Sequence, residues 1–264
     1  MKVQAAAVPD VHTPSAIAAP GRLARYADLH KWMIIPMIVM QVGIFTDYWG
    51  DFAENAWAVH VHYVIATLWY LFLIIQPYYA THGALPRHRT NGIIGMFLAG
   101  GVGLTALSML HRDMVTAERT LQFPERFGPI GPWFFYGVAV TEIVLITAFI
   151  YAVLQGILHR KETEHHAWWL VSTVFIIMMP ALGRGLQLAW FRIVGFDSVT
   201  DVMAPIYVSV LIIIALTFWA AHRYGRIRHP ATFVAVGANL FTFFMAPVGR
   251  SQAVQTILPM IIKG

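Results

Sequence analysis

The chain alternates long apolar runs with short polar breaks. Seven of the runs reach the length needed to cross a bilayer, about 20 residues at about 1.5 Å of rise each. They fall at about 32–48, 57–80, 92–110, 132–157, 167–190, 203–221 and 231–248. This pattern predicts an all-α polytopic transmembrane helix bundle of seven spans. Pro36 interrupts the first run, and the seventh carries Gly237, Asn239 and Pro247 in barely spanning length. Residues 1–28 are rich in Ala and Pro and lack the continuous apolar core of a signal peptide, so a retained, flexible N-terminal tail is expected there. Residues 29–250 then form one transmembrane domain and 251–264 a short C-terminal tail.

Composition agrees with this reading, because charged residues make up only 12% of the chain against roughly a quarter in a soluble domain. Assigning loops alternately to the two faces separates the charges. The N-terminal face collects eleven cations, among them Arg87, Arg89, Arg160, Lys161 and Arg223, against four carboxylates, a net +7. The other face collects six cations against eight carboxylates, a net −2. Cation excess in short loops marks the cytoplasmic side, so a cytoplasmic N-terminus in the cell membrane is expected. These cations sit in short loops beside spans rather than in a run or a stripe on one soluble face, which points to anionic lipid headgroups and away from nucleic acid. Cysteine is absent, which excludes disulfides and thiolate chemistry.

Within the third run Gly95, Ala99 and Gly103 recur every fourth residue and form a smooth stripe for close helix packing. Trp69 lies deep in the second run beside Tyr70, two turns before the Gln76-Pro77 pair, where the helical hydrogen-bond ladder should loosen.

Two ionisable residues fall inside the spans. Glu142 lies near the middle of the fourth run and Arg184 toward the far end of the fifth. Such groups normally face a partner or a wet cavity, since burial at a helix centre costs about 2.5–3.5 kcal/mol even on lenient scales. Their matched depth predicts an ion pair, direct or bridged by water. It fixes the packing of two helices or lines a polar pocket in which Arg184 binds an anionic or carbonyl group and Glu142 exchanges a proton. Trp69 and Gln76 complete that candidate pocket.

Histidines cluster at both boundaries. His60, His62 and His111 share the face opposite the N-terminus and are candidate metal ligands, although residues i and i+2 point to nearly opposite sides of a helix. His82, His88, His159, His165, His166, His222 and His229 recur on the N-terminal face beside Arg and Lys. That rim suits haem propionates, phosphates or acidic lipids better than a divalent metal.

The stretch from His62 and Gln76 through Arg87-His88-Arg89-x2-Gly92 and Glu164-His165-His166-Ala167-Trp168-Trp169 to Arg184-x2-Gln187 resembles a bacterial membrane family catalogued as domain of unknown function 2306. The likeness covers about residues 57–190 and departs at Trp169, where the pattern has Met, and at Val171-Ser172. It implies the same helix assignment, marks His62, Gln76, His88, His166 and Arg184, and implies no substrate. The leading functional expectation is a redox protein handling haem b or quinone, with His62, His111, His88, His166 and Arg184 as cofactor contacts. The alternatives are a transporter or lipid-binding protein using the Glu142 and Arg184 pocket, or an accessory subunit of a partner membrane protein.

Overall fold

The computed structural model describes residues 23–263, so most of the expected N-terminal tail lies outside the described residues. All described regular elements are helical. Seven helical segments are long and apolar enough to cross a membrane, namely Ala24–Trp49, Trp57–Thr81, Leu85–Gln122, Pro132–Leu158, Thr163–Val194, Ala204–Arg223 and Pro230–Gly249. The protein is therefore an all-α polytopic membrane helix bundle. Its helices of more than five residues are α1 (Ile34–Ile44), α2 (Trp57–Thr81), α3 (Leu85–Gln122), α4 (Pro132–Leu158), α5 (Thr163–Ile176), α6 (Met179–Val194), α7 (Ala204–Arg223), α8 (Pro230–Leu240) and α9 (Gln252–Lys263).

Prolines placed in the first turn open α4, α6, α7 and α8, where the missing N–H costs nothing and the fixed φ fits the helix. The turn from α2 to α3 passes through Gly83 at φ 78°, a left-handed conformation that glycine adopts without strain. α2 continues through Pro77 without breaking, and Thr81 donates its hydroxyl to the Pro77 carbonyl at 2.7 Å.

Two spans are interrupted inside the membrane. The fifth divides into α5 and α6 at Ile177–Met178, just before Pro180, which cannot continue the backbone ladder. The first ends in a π-helical turn, Phe45–Trp49. α1 crosses α6 just before the π-helical turn, with Gly43 against Ala181, Leu182 and Gly185. A Cβ at Gly185 would collide with the backbone of Gly43, so only glycine permits the crossing.

Three sequence expectations change. The segment 24–28 is docked rather than loose: Tyr26 is buried against Tyr224 with ring centroids 5.6 Å apart, and Asp28 pairs with Arg223 at 2.6 Å. The polar stretch after residue 110 is helix, not loop. α3 runs for 38 residues, about 57 Å, against a hydrocarbon core of about 30 Å, so it projects well past the apolar layer. The C-terminal segment is α9, which lays Val254, Leu258 and Ile262 on Leu110, Met114 and Ala117 of α3. The glycine stripe of α3 packs as its spacing requires, with Gly95 under the Phe72 ring of α2 and Gly103 beside Ile150 of α4.

Candidate functional site

Glu142 lies ten residues in from Pro132 and Arg184 ten residues in from Val194, which places both about 15 Å from their helix ends on the side opposite the N-terminus. Both line one partly open cavity of about 130 Å³ bordered by the first five spans. That is room for several waters or a small ligand. Asp47 enters from the π-helical turn, His62 from α2, and Arg112 and Asp113 from α3. The remaining wall is largely apolar and aromatic, including Met40, Tyr63, Tyr70, Val102 and Phe149.

The expected direct pair of Glu142 with Arg184 is corrected. Arg184 donates through Nη1 to Oδ2 of Asp47 at 2.9 Å. The Gly43–Gly185 crossing brings α6 against the first span, and Asp47, one turn past Gly43, reaches the guanidinium first. Glu142 instead faces Asp113, a second carboxyl. The pair is buried, at 9% and 4% exposure, and neither Glu142 Oε2 nor Asp113 Oδ2 has a hydrogen-bond partner among the described residues. An anion at Arg184 would share the guanidinium with Asp47, which takes one of its five N–H donors.

Trp69 and Gln76, expected in this pocket, lie elsewhere. Trp69 is a core residue whose Nε1 donates to Thr173 Oγ1 of α5 at 3.1 Å, and its neighbour Tyr70 reaches the cavity wall and donates to the Val174 carbonyl at 2.8 Å. Gln76 sits seven residues further along the same face of α2, level with His166, which lies seven residues before Thr173 on the antiparallel α5. Gln76 is buried, and neither of its amide atoms finds a partner among the described residues.

The expected metal ligands His60, His62 and His111 do not converge. Two residues apart on a helix, His60 and His62 diverge: His60 Nδ1 shares a hydrogen bond with the Tyr48 hydroxyl at 2.9 Å, while His62 Nδ1 meets Thr105 Oγ1 at 3.0 Å. Thr105 spends its own proton on the Gly101 carbonyl at 2.7 Å. His62 therefore donates to Thr105, and in the neutral ring its Nε2 is left as an acceptor. His111 is exposed. Among the described residues no three His, Asp or Glu side chains form a metal-binding group, and the outer haem pair His62 with His111 is not assembled.

On the N-terminal side His88 and His166 do come together, with ring centroids 6.1 Å apart and planes at 87°. Each donates Nδ1–H to a backbone carbonyl, His88 to Gln76 at 3.3 Å and His166 to Gly156 at 2.7 Å. A second cluster joins His229 Nε2 to His165 Nδ1 at 3.0 Å, with His159 stacked on His165. The Ala231 amide donates to His229 Nδ1 at 3.1 Å, which fixes the tautomer and caps α8. Burial, reinforced by His165 and Arg226, lowers the His229 pKa to about 4. Arg226 itself is held by Glu164 and Tyr26.

Sequence reasoning placed Glu142 and Arg184 in this pocket but took His62 for a boundary metal or haem ligand and Asp47, Arg112 and Asp113 for boundary charges. One available signal was the spacing of Leu110, Met114 and Ala117, which continues the apolar face of α3 beyond the third run and carries Asp113 inward with it. The chain matches no protein-family model, no curated protein and no solved structure.

Proposed function

We propose that this membrane protein binds a small amphipathic molecule in the cavity of the first five spans and exchanges a proton with it at the Asp113–Glu142 pair, as a transporter or lipid-binding protein does. One observation carries the reading: two buried carboxyls with unpartnered oxygens share an intramembrane cavity with Asp47, Arg112 and Arg184. Ionisable side chains at this depth are costly, and an apolar core would serve packing better. The irregular backbone supports the same reading. The π-helical turn bearing Asp47 and the break before Pro180 lie against a cavity, where membrane proteins tolerate such backbone. With the cation-rich face cytoplasmic, the cavity lies in the outer half of the membrane.

Calorimetric titration of the protein in nanodiscs, with small aromatic amphiphiles of positive, negative and zero charge, tests this. Run in two buffers of different ionisation enthalpy, binding should show heats that differ between buffers, and Glu142→Gln should abolish the difference. Heats no larger than those of empty nanodiscs, or heats independent of buffer, would overturn the reading.

A second reading rests on His88 and His166. Both Nδ1–H groups are anchored to carbonyls, which leaves both Nε2 atoms as potential ligands in the manner of metal-bound histidines. The unpartnered Gln76 amide lies at the same level. We infer that this pair is the position for a haem b iron, with Arg87 and Arg89 near enough in sequence to meet propionates. Oxidised and dithionite-reduced visible spectra decide it. Sharp reduced bands lost in His88→Ala and His166→Ala support it, and a colourless protein purified from haem-supplemented cells refutes it. The proposed kinship of residues 57–190 with domain of unknown function 2306 adds no substrate to either reading.

A further inference from the structure

The cavity has an uneven charge count. Asp47, Asp113 and Glu142 carry three negative charges when ionised, and Arg112 and Arg184 carry two positive ones. His62, donating to Thr105, adds none as the neutral imidazole. One negative charge is left without a counter-charge, in a low-dielectric site where such a charge is costly. It belongs to the Asp113–Glu142 pair, because Asp47 is already matched to Arg184 at 2.9 Å. Arg112 lines the cavity and makes no ion pair within 4.0 Å among the described residues, so it offsets the pair only from a distance.

We propose that the ligand is a lipophilic organic monocation, which competes with one proton for the uncompensated charge of Asp113 and Glu142. This names the substrate class of the cavity and rests on the reading proposed above. A proton and a monovalent cation each bring the count to zero, and both together overshoot it. The unpartnered Glu142 Oε2 and Asp113 Oδ2 supply acceptors for the positive centre. Tyr70 and Phe149 on the cavity wall supply aromatic surface that favours a cation over a neutral molecule. A monoanion would raise the uncompensated charge to two and would need two protons to restore balance.

The balance of the exchange is one cation bound for one proton released, with no covalent change. The test compares benzyltrimethylammonium, a permanent cation with no proton of its own, with its neutral isostere neopentylbenzene and with benzoate, all titrated into nanodisc-embedded protein between pH 5 and 9. The cation is expected to bind tightest, to release one proton, and to gain about tenfold in affinity per pH unit while the pair still holds its proton. Glu142→Gln should remove the proton release and weaken the cation by about tenfold or more. Arg112→Gln removes a repelling charge and should tighten cation binding, so loss of fold cannot mimic the expected result.

Tighter binding of benzoate or of neopentylbenzene with proton exchange would overturn the cation proposal and leave the cavity reading standing. Cation binding that is independent of pH, or weakened by Arg112→Gln in a protein of unchanged unfolding temperature, would also overturn it. Binding of none of the three would overturn both.

Discussion

Replacing Asp47 by Asn takes away the one carboxylate in contact with Arg184; Asp113 and Glu142 share the cavity but make no ion pair with the guanidinium within 4.0 Å among the described residues, so they offset it only from a distance. Removing one partner of a fully buried ion pair costs about 3–5 kcal/mol, because the remaining charge stays desolvated. Here the two side chains keep 31% and 24% of their surface exposed, which screens part of that cost. Scaling by the buried fraction gives a destabilisation of about 2–4 kcal/mol, equivalent to a fall in unfolding temperature of roughly 5–15 °C for a chain of this size. Intrinsic tryptophan fluorescence during thermal unfolding in nanodiscs reads it directly. The double variant Asp47→Leu with Arg184→Met removes both charges together and should recover half or more of the loss, since the penalty comes from the orphaned charge rather than from a lost attraction. An Asp47→Asn protein within 1 °C of the parent, or a double variant less stable than the single, would refute a pairing that matters to the fold.

Gly185→Ala should destabilise by about 1–3 kcal/mol or more, because its methyl group must push α6 off the first span, whereas Gly237→Ala on α8 meets open space and should be neutral or slightly stabilising. Unfolding temperatures of the two variants side by side check this, and equal losses would count against the crossing. His229 has a folded pKa of about 4 against 6.5 unfolded, so the unfolded chain binds more protons between these values. The stability contributed by neutral His229 is therefore complete above about pH 6.5 and is lost as pH falls toward 4. Its neighbours in this window are His165, His159 and Arg226, the last already paired with Glu164. Thermal unfolding from pH 7.5 to 4.5 should show a decline that His229→Gln flattens, and an unchanged slope in that variant would refute the assignment. Trp168→Phe removes the 2.8 Å hydrogen bond to Thr232, whose own hydroxyl donates to the Arg226 carbonyl at 2.8 Å. The loss should be about 1–3 kcal/mol, reported by the same assay, and a smaller one would mean that this relay does not tie α5 to the α7–α8 turn.

The seven apolar runs were sufficient to place every span, and the described span ends differ from the sequence estimates by a few residues except at the start of the first, the two ends of the third and the fifth. That legibility has a simple cause. Lipid requires each spanning segment to satisfy its own backbone hydrogen bonds and to be apolar over its length, which is a local property of the chain. The same physics exposed Glu142 and Arg184, since an isolated charge in an apolar run is visible without any knowledge of its neighbours. What those charges face was not local. Asp47 and Arg184 are 137 positions apart, and their pairing depends on a glycine-to-glycine crossing that brings α6 against the first span. Asp113 was hidden for a different reason: the charged stretch that follows an apolar run has the same composition as a loop, and only the packing of α9 on α3 shows it to be ordered helix. The histidines make the same division. Sequence spacing alone showed that His60 and His62 diverge, while the approach of His88 to His166 follows from α5 folding back beside α2 and α3. Composition and periodicity thus determined the bundle and which residues were costly to bury. Tertiary structure decided which of those costs are offset by a partner, because partners in a helix bundle meet through the packing of helices far apart in the chain.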